Sequence, residues 1–200
     1  MSKERITVAV TGGIGSGKST VMQFLEEKSY HTFSCDEIYK EVAQSSEYLL
    51  KIKELFPLVI TKEGTLDRKK LSEIVFNDKA LLLKLNGIAH PLILKKLNEE
   101  LEKEKGVVFC EVPLLFESGW QDKFDFVIIV NRPIQNRVSA ICIRDTMSEQ
   151  DALKRIANQF DYESFNDTLP CNYFILENSG SEEELKVNLS TIIKNLVAEN

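Results

Sequence analysis

The chain predicts an α/β fold: a five-stranded parallel sheet as the middle of three layers, with a helix-rich stretch after the second strand and a helical hairpin late in the chain. Three observations predict it. Short apolar runs rich in β-branched residues recur at "ITVAV", "YHTFS", "VVFCEVPLLF", "FDFVIIV" and "YFILEN", the pattern of strands buried on both faces. Segments with apolar residues three and four apart separate them, as amphipathic helices require. Strand and helix alternate, which builds βαβ units with helices over both faces of the sheet. At 200 residues the chain suits one domain with insertions, and a chain of that size hides roughly 70% of its unfolded surface.

The elements follow in order. Ile6–Val10 is a strand, and "KSTVMQFLEEK" places Val21, Phe24 and Leu25 on one helical face. "YHTFS" is a second strand that ends at Cys35-Asp36. From Asp36 to about Lys105 the pattern is helical, in "DEIYKEVA", "SEYLLKIKELF", "DRKKLSEIVF" and "DKALLLKLNGIAHPLILKKLNEELEKEK". Asp36, Asp67 and Asp78 are placed as N-caps. Pro91 divides the last stretch into two helices or kinks one, because it lacks a backbone donor. Val107–Phe116 is a third strand stopped at Pro113, and Phe124–Val130 is a fourth. "RPIQNRVSAICIRD" and "SEQDALKRIANQF" form a helical hairpin, "YFILEN" is the fifth strand, and "SEEELKVNLSTIIKNLVAEN" is the last helix.

Composition narrows the functions. Lys+Arg of 25 against Asp+Glu of 31 leaves a net charge of −6, a poor basis for sequence-independent nucleic-acid binding, which needs basic surface. Cys35, Cys110, Cys142 and Cys171 are scattered, with no CxxC pair. That pattern argues against a zinc ribbon and for reduced thiols in the cytoplasm. The apolar run near the start ends at Val10, short of a secretory h-region. No stretch approaches the roughly 20 apolar residues of a membrane span.

Between the first strand and the first helix lies "TGGIGSGKST" (Thr11–Thr20), which fits G-x-x-x-x-G-K-[ST] with Gly12, Gly17, Lys18 and Ser19 in place. Glycines let successive N–H groups turn toward phosphate oxygens, and the following helix offers its N-terminal amides to the same anion. Gly13, Ile14, Gly15, Ser16, Gly17, Lys18, Ser19 and Thr20 therefore form the nucleotide-binding stretch. Lys18 reaches the β- and γ-phosphates and Ser19 faces Mg²⁺. A plain βα turn rarely needs four glycines so close together, so the motif in its strand–helix context points to a P-loop protein that binds an NTP. The fate of the γ-phosphate stays open at this stage, because GTPases, motor ATPases and small-molecule kinases share the loop.

A GTPase would carry DxxG and [NT]KxD motifs. No Asp here has Gly three residues on, and "TKEG" ends in Gly where Asp is required. The chain is short for a motor ATPase. A kinase needs a group at the acceptor hydroxyl and cations over the transferring phosphate. Asp36, just after the second strand, is the candidate base. Glu111, at the end of the third strand, is a candidate to hold a metal-bound water. Arg137, Arg144 and Arg155 lie on the two hairpin helices, where they can fold over a triphosphate. Arg144, beside Asp145 at the turn, is the best placed of them. Arg68 and His90 are weaker candidates: Arg68 suits an acidic substrate group or a plain helix start, and a lone histidine such as His90 is more often structural than catalytic.

The chain resembles the dephospho-CoA kinase family. The likeness runs from "VAVTGGIGSGKSTV" to "LENSG" and includes Cys35-Asp36, "GTLDRKKL", Val75-Phe76, "AHPLI", "EVPLLFE" and "IIV". "GTLDR", "HPLI" and "VPLLFE" are far more specific than the loop, which nucleotide kinases share. The resemblance implies transfer of the ATP γ-phosphate to the ribose 3′-hydroxyl of dephospho-CoA, with Mg²⁺, in a P-loop core bearing a substrate domain and a lid. It implies core segments 1–36, 106–136 and 171–200, a helical substrate domain 37–105 and a lid 137–165. Asp36 would be the base, aided by Lys18 and Arg144. Asp36, Arg68, His90, Pro91, Leu114, Phe116 and Glu117 would meet the substrate. A monomer or small homo-oligomer is expected. Two departures stand out: Ser34 where the family often has an acid, and "FDYESFNDTLPCNY" without the family's basic residue and "AD". The alternatives are a nucleoside or nucleotide kinase with the same loop, or a degenerate nucleotide-binding regulator.

Overall fold

The sheet is built around its first strand. The structure, a computed structural model, describes residues 4–76, 78–162 and 171–198. Residues 163–170, which carry most of the departure after Gln159 and the end of the expected lid, lie outside the described residues. So do residues 1–3, Asn77 and residues 199–200. The described strands are β1 (Arg5–Thr11), β2 (His31–Ser34), β3 (Gly106–Glu111), β4 (Phe126–Asn131) and β5 (Tyr173–Glu177), in a five-stranded sheet ordered β2-β3-β1-β4-β5. β1 pairs in parallel with β3 and with β4, and β4 in parallel with β5. Val8, Ala9 and Val10 are wholly buried, because a central parallel strand is covered on both faces.

The chain divides into two compact units, residues 1–33 with 104–200, and residues 34–103. The first unit carries the sheet, α1 (Lys18–Glu27), α6 (Ile134–Asp145), α7 (Glu149–Ala157) and α8 (Glu182–Ala198). Its core joins Val8 and Val10 of β1 to Val21, Phe24 and Leu25 of α1 and to Leu185, Leu189 and Leu196 of α8. The expected face of α1 is thus the buried one. Thr7, one of two buried threonines on β1, is satisfied by Asp125, whose carboxylate accepts from the Thr7 amide at 2.9 Å and its hydroxyl at 3.0 Å.

The third strand is shorter than its apolar run suggested. It ends at Glu111, before Pro113, and residues 113–119 turn. Leu115 and Trp120 are buried by that turn rather than by strand pairing. Apolar residues alone do not separate the two ways of burial.

The second unit is helical: α2 (Cys35–Val42), α3 (Ser46–Leu55), α4 (Arg68–Phe76) and α5 (Lys79–Leu101). α5 packs against α2, α3 and α4. It is one continuous helix through Pro91. The proline removes a single backbone bond, while Leu85, Ala89, Leu92, Ile93, Leu97 and Leu101 keep a buried stripe along the whole length. Asp78 caps α5 through the Ala80 and Leu81 amides at 2.9 and 3.1 Å. Asp67 accepts from the Lys70 amide at 3.0 Å at the start of α4. Asp36 is no N-cap. α2 already begins at Cys35, so the cap position falls to Ser34 and Asp36 lies inside the first turn.

Candidate functional site

The end of β1 delivers the chain into the glycine loop with little room to spare. Gly12 has φ 144° and lies against the Val130 carbonyl oxygen, which a Cβ would strike. Gly17 has φ 99° and forms the N-cap of α1, a left-handed conformation suited to glycine. A side chain caps α3, α5 and α7, through Ser45, Asp78 and Ser148. α1 has no side-chain cap and no acid in its first turn. A helix start left this way is a site for an anion.

The loop's carbonyls are held by side chains. Lys18 Nζ donates to the Gly12 and Gly13 carbonyls at 2.8 and 3.2 Å. Arg137 Nε donates to Ile14 O at 3.0 Å, Arg132 Nη1 to Gly15 O at 3.2 Å and Asn178 Nδ2 to Ser16 O at 2.8 Å. Gln159 Oε1 accepts the Ile14 amide at 2.6 Å. The Ser16 hydroxyl is buried and has no hydrogen-bond partner among the described residues. Such an orphaned donor beside uncapped amides fits a phosphate oxygen. Ser19 is exposed in the first turn of α1. Glu111 ends β3 opposite Val10 and is half-buried. A hydroxyl and a carboxylate are hard oxygen donors, the kind Mg²⁺ takes alongside phosphates and water. Among the described residues there is no group of three or more His, Cys, Asp or Glu able to hold a metal by themselves.

The three hairpin arginines divide. Arg137 is 3% exposed and reaches the loop. Arg144 and Arg155 converge instead on Asp145. Arg144 Nε and Nη2 donate at 2.7 and 3.0 Å, and Arg155 Nη1 at 2.7 Å. The Arg144 hydrogen bond holds the Asp145 carboxyl below the usual carboxylate range. One carboxylate thus gathers two exposed guanidinium groups from α6 and α7.

After β3, Leu114 is half-exposed. Phe116 stacks on Phe160 at 4.5 Å between ring centres, and Glu117 accepts the Phe160 amide at 2.8 Å. Tyr162 shares a 3.3 Å hydrogen bond with Thr11, and burial pushes its phenol up to about 12, so it stays a neutral hydroxyl at neutral pH.

In the helical unit, Asp36 is exposed in the first turn of α2. Arg68 begins α4 and donates to the Lys40 carbonyl at 3.4 Å. His90 is half-buried on α5, next to the exposed Pro91. Burial pushes the His90 imidazole below its ordinary value. The unfolded chain protonates there from about pH 6.5 downward, the folded chain only at lower pH. His90 therefore favours the folded state fully above about pH 6.5, and that contribution is lost as pH falls through the folded value. The expected result is a His90 ring resonance that titrates below pH 6.5, and a midpoint at or above that value would contradict it.

Asn178, Arg132 and Tyr162 escaped the reading of the sequence, and Gln159 served there only as a landmark. A signal for two of them existed. Arg132 and Asn178 each follow directly on a core strand, β4 and β5, close to the strand-end placing that singled out Asp36 two residues past β2 and Glu111 as the last residue of β3.

Comparisons with known proteins agree on one family. The family model described as dephospho-CoA kinase matches residues 6–184. A Thermus thermophilus protein named dephospho-CoA kinase is 34% identical over 196 residues, covering 98% of this chain and 94% of that protein. A crystal structure from Thermus thermophilus matches with a TM-score of 0.83 and 33% identity, over 97% of this chain and 99% of the other. The dephospho-CoA kinase from Campylobacter jejuni matches with a TM-score of 0.63 and 27% identity, over 96% and 97%.

Proposed function

The chain belongs to the dephospho-CoA kinase family, and we propose that it transfers the γ-phosphate of ATP to the ribose 3′-hydroxyl of dephospho-CoA, giving CoA and ADP. That is the last step of CoA biosynthesis. The observation that carries the donor half is the uncapped start of α1 behind a loop whose carbonyls are all engaged. The acceptor half follows from the family.

Gly13 to Thr20 bind the polyphosphate, with Lys18 as its cation. Ser19, with Glu111 through water, would hold Mg²⁺, which supplies charge neutralisation at the β- and γ-phosphates. Asp36 takes the proton of the acceptor hydroxyl. Its assignment rests on its place in the chain, two residues past β2. Arg68, His90, Pro91, Leu114, Phe116 and Glu117 contact dephospho-CoA. In this role residues 34–103 form the acceptor-binding unit, and α6 with α7 form the lid. The cytoplasm is the proposed compartment, and a monomer or small homo-oligomer the proposed state. Among the described residues no helix is long and apolar enough to cross a membrane.

Arg144 acts on charge that develops in transfer. Arg144→Ala is expected to lower kcat about 10- to 100-fold, the worth of one charge-assisted hydrogen bond. An unchanged kcat would leave Arg144 as the surface partner of Asp145. The assignment as a whole is tested by coupled ADP release with dephospho-CoA beside AMP, CMP and nucleosides. Turnover with dephospho-CoA alone is expected. Comparable kcat/KM with a nucleotide or nucleoside would make the protein a nucleotide or nucleoside kinase. Tight ATP binding without turnover on any acceptor would make it a nucleotide-binding regulator.

A further inference from the structure

We infer that Asn178 and Arg137 are positioning residues that aim two amides of the glycine loop at the nucleotide's phosphates, Asn178 being the one that sets Gly17. This deepens the donor half of the reading above and rests on the loop being the phosphate site. In a trans peptide the C=O of one residue and the N–H of the next point in opposite directions. Pinning a carbonyl on one side therefore sends the following amide to the other. Arg137 holds the Ile14 carbonyl at 3.0 Å, and the next amide is that of Gly15. Asn178 holds the Ser16 carbonyl at 2.8 Å, and the next amide is that of Gly17. Neither the Gly15 nor the Gly17 amide donates to an acceptor among the described residues, whereas Ile14 donates to Gln159 and Ser16 to Gly13. The two pinned carbonyls thus precede two amides left to meet an anion.

Asn178 is the more specific of the pair. Its own amide donates to the Asn131 carbonyl at 2.8 Å, which anchors it at the end of β4, next to β1. Its Nδ2 lies so close to Gly17 that a Cβ there would strike it, and Gly17 holds φ 99° as the α1 cap. The side chain and the missing Cβ are complementary. The contact needs a donor, since the group it faces is a carbonyl oxygen. Asp has the shape of Asn but would set a carboxylate oxygen against that carbonyl.

The chemistry separates aiming from packing. Asn178→Ala loses the donor and some packing. Asn178→Asp keeps the packing and reverses the contact. Binding of ATP and ADP, measured directly by titration without any acceptor, is expected to weaken about tenfold in Asn178→Ala, the value of one hydrogen bond to a charged group. It is expected to weaken at least as much in Asn178→Asp. The KM for ATP should rise in step while that for dephospho-CoA stays within about twofold, and Tm should hardly move. Wild-type nucleotide affinity in Asn178→Ala overturns the inference. So does an Asn178→Asp variant closer to wild type than Asn178→Ala, which would mean packing, or a parallel rise of both KM values with a lowered Tm. Because nucleotide binding is read without acceptor, an inactive enzyme toward dephospho-CoA would sink the acceptor reading and leave this test intact.

Discussion

Lys18→Ala is expected to reduce phosphoryl transfer about 10³-fold or more, the largest loss at any single position of the loop. Removing one preorganised donor from a transition state already costs about 10²- to 10³-fold, and here the donor also carries a full charge. The structure adds a second reason. Lys18 Nζ donates to the Gly12 and Gly13 carbonyls at 2.8 and 3.2 Å, so the ammonium is held over the entry of the loop by its backbone. Alanine removes the cation and its hold on the Gly12 carbonyl, while the Gly13 carbonyl keeps the Ser16 amide. Arginine keeps the charge but brings a planar fork in place of a compact ammonium, so Lys18→Arg should recover only part of the rate. The measurement is coupled ADP release at saturating dephospho-CoA, with Tm as the control for folding. A Lys18→Ala variant within tenfold of wild type would remove Lys18 from the chemistry.

Asp36→Asn comes second. If Asp36 takes the hydroxyl proton, the amide cannot, and kcat should fall about 10²- to 10⁴-fold. Nucleotide affinity should stay within about twofold, because the proposed role of Asp36 is on the acceptor hydroxyl and not on the nucleotide. A purely structural part for this acid is also on view: with Glu37 it supplies negative charge in the first turn of α2. Loss of that contribution costs about 0.3–1 kcal/mol of stability and leaves kcat alone. The two roles thus differ in which quantity moves. Near-normal turnover of Asp36→Asn would end the assignment as base.

Much of the fold was legible because its signals are local. A β-branched run between glycines, or apolar residues at helical spacing, reports burial on two faces or on one. The five strands and the main helices could be placed from such runs. What failed locally was burial of another kind: Val112 and Leu115 are buried in or beside a turn, so the third strand looked longer than it is. Pro91 was weighed for its missing bond. The buried stripe of α5, which outweighs that bond, exists only once α2, α3 and α4 are packed on it.

The glycine loop follows the same division. Its glycines, Lys18 and Ser19 are contiguous in the chain, so the sequence by itself determined that a P-loop motif lies between β1 and α1. It also carried the family through "GTLDR", "HPLI" and "VPLLFE". Among the hairpin arginines it favoured Arg144, whereas the loop contact belongs to the buried Arg137. Only the tertiary structure decided which side chains hold the loop in shape. The strand order β2-β3-β1-β4-β5 sets β4 beside β1 and β5 beyond it. Arg132, Arg137 and Asn178 thereby reach carbonyls 117, 123 and 162 residues away. A repeat along the chain records which face of an element is apolar. It holds no record of which strand ends become neighbours, because that depends on how separate elements bury their apolar faces against one another.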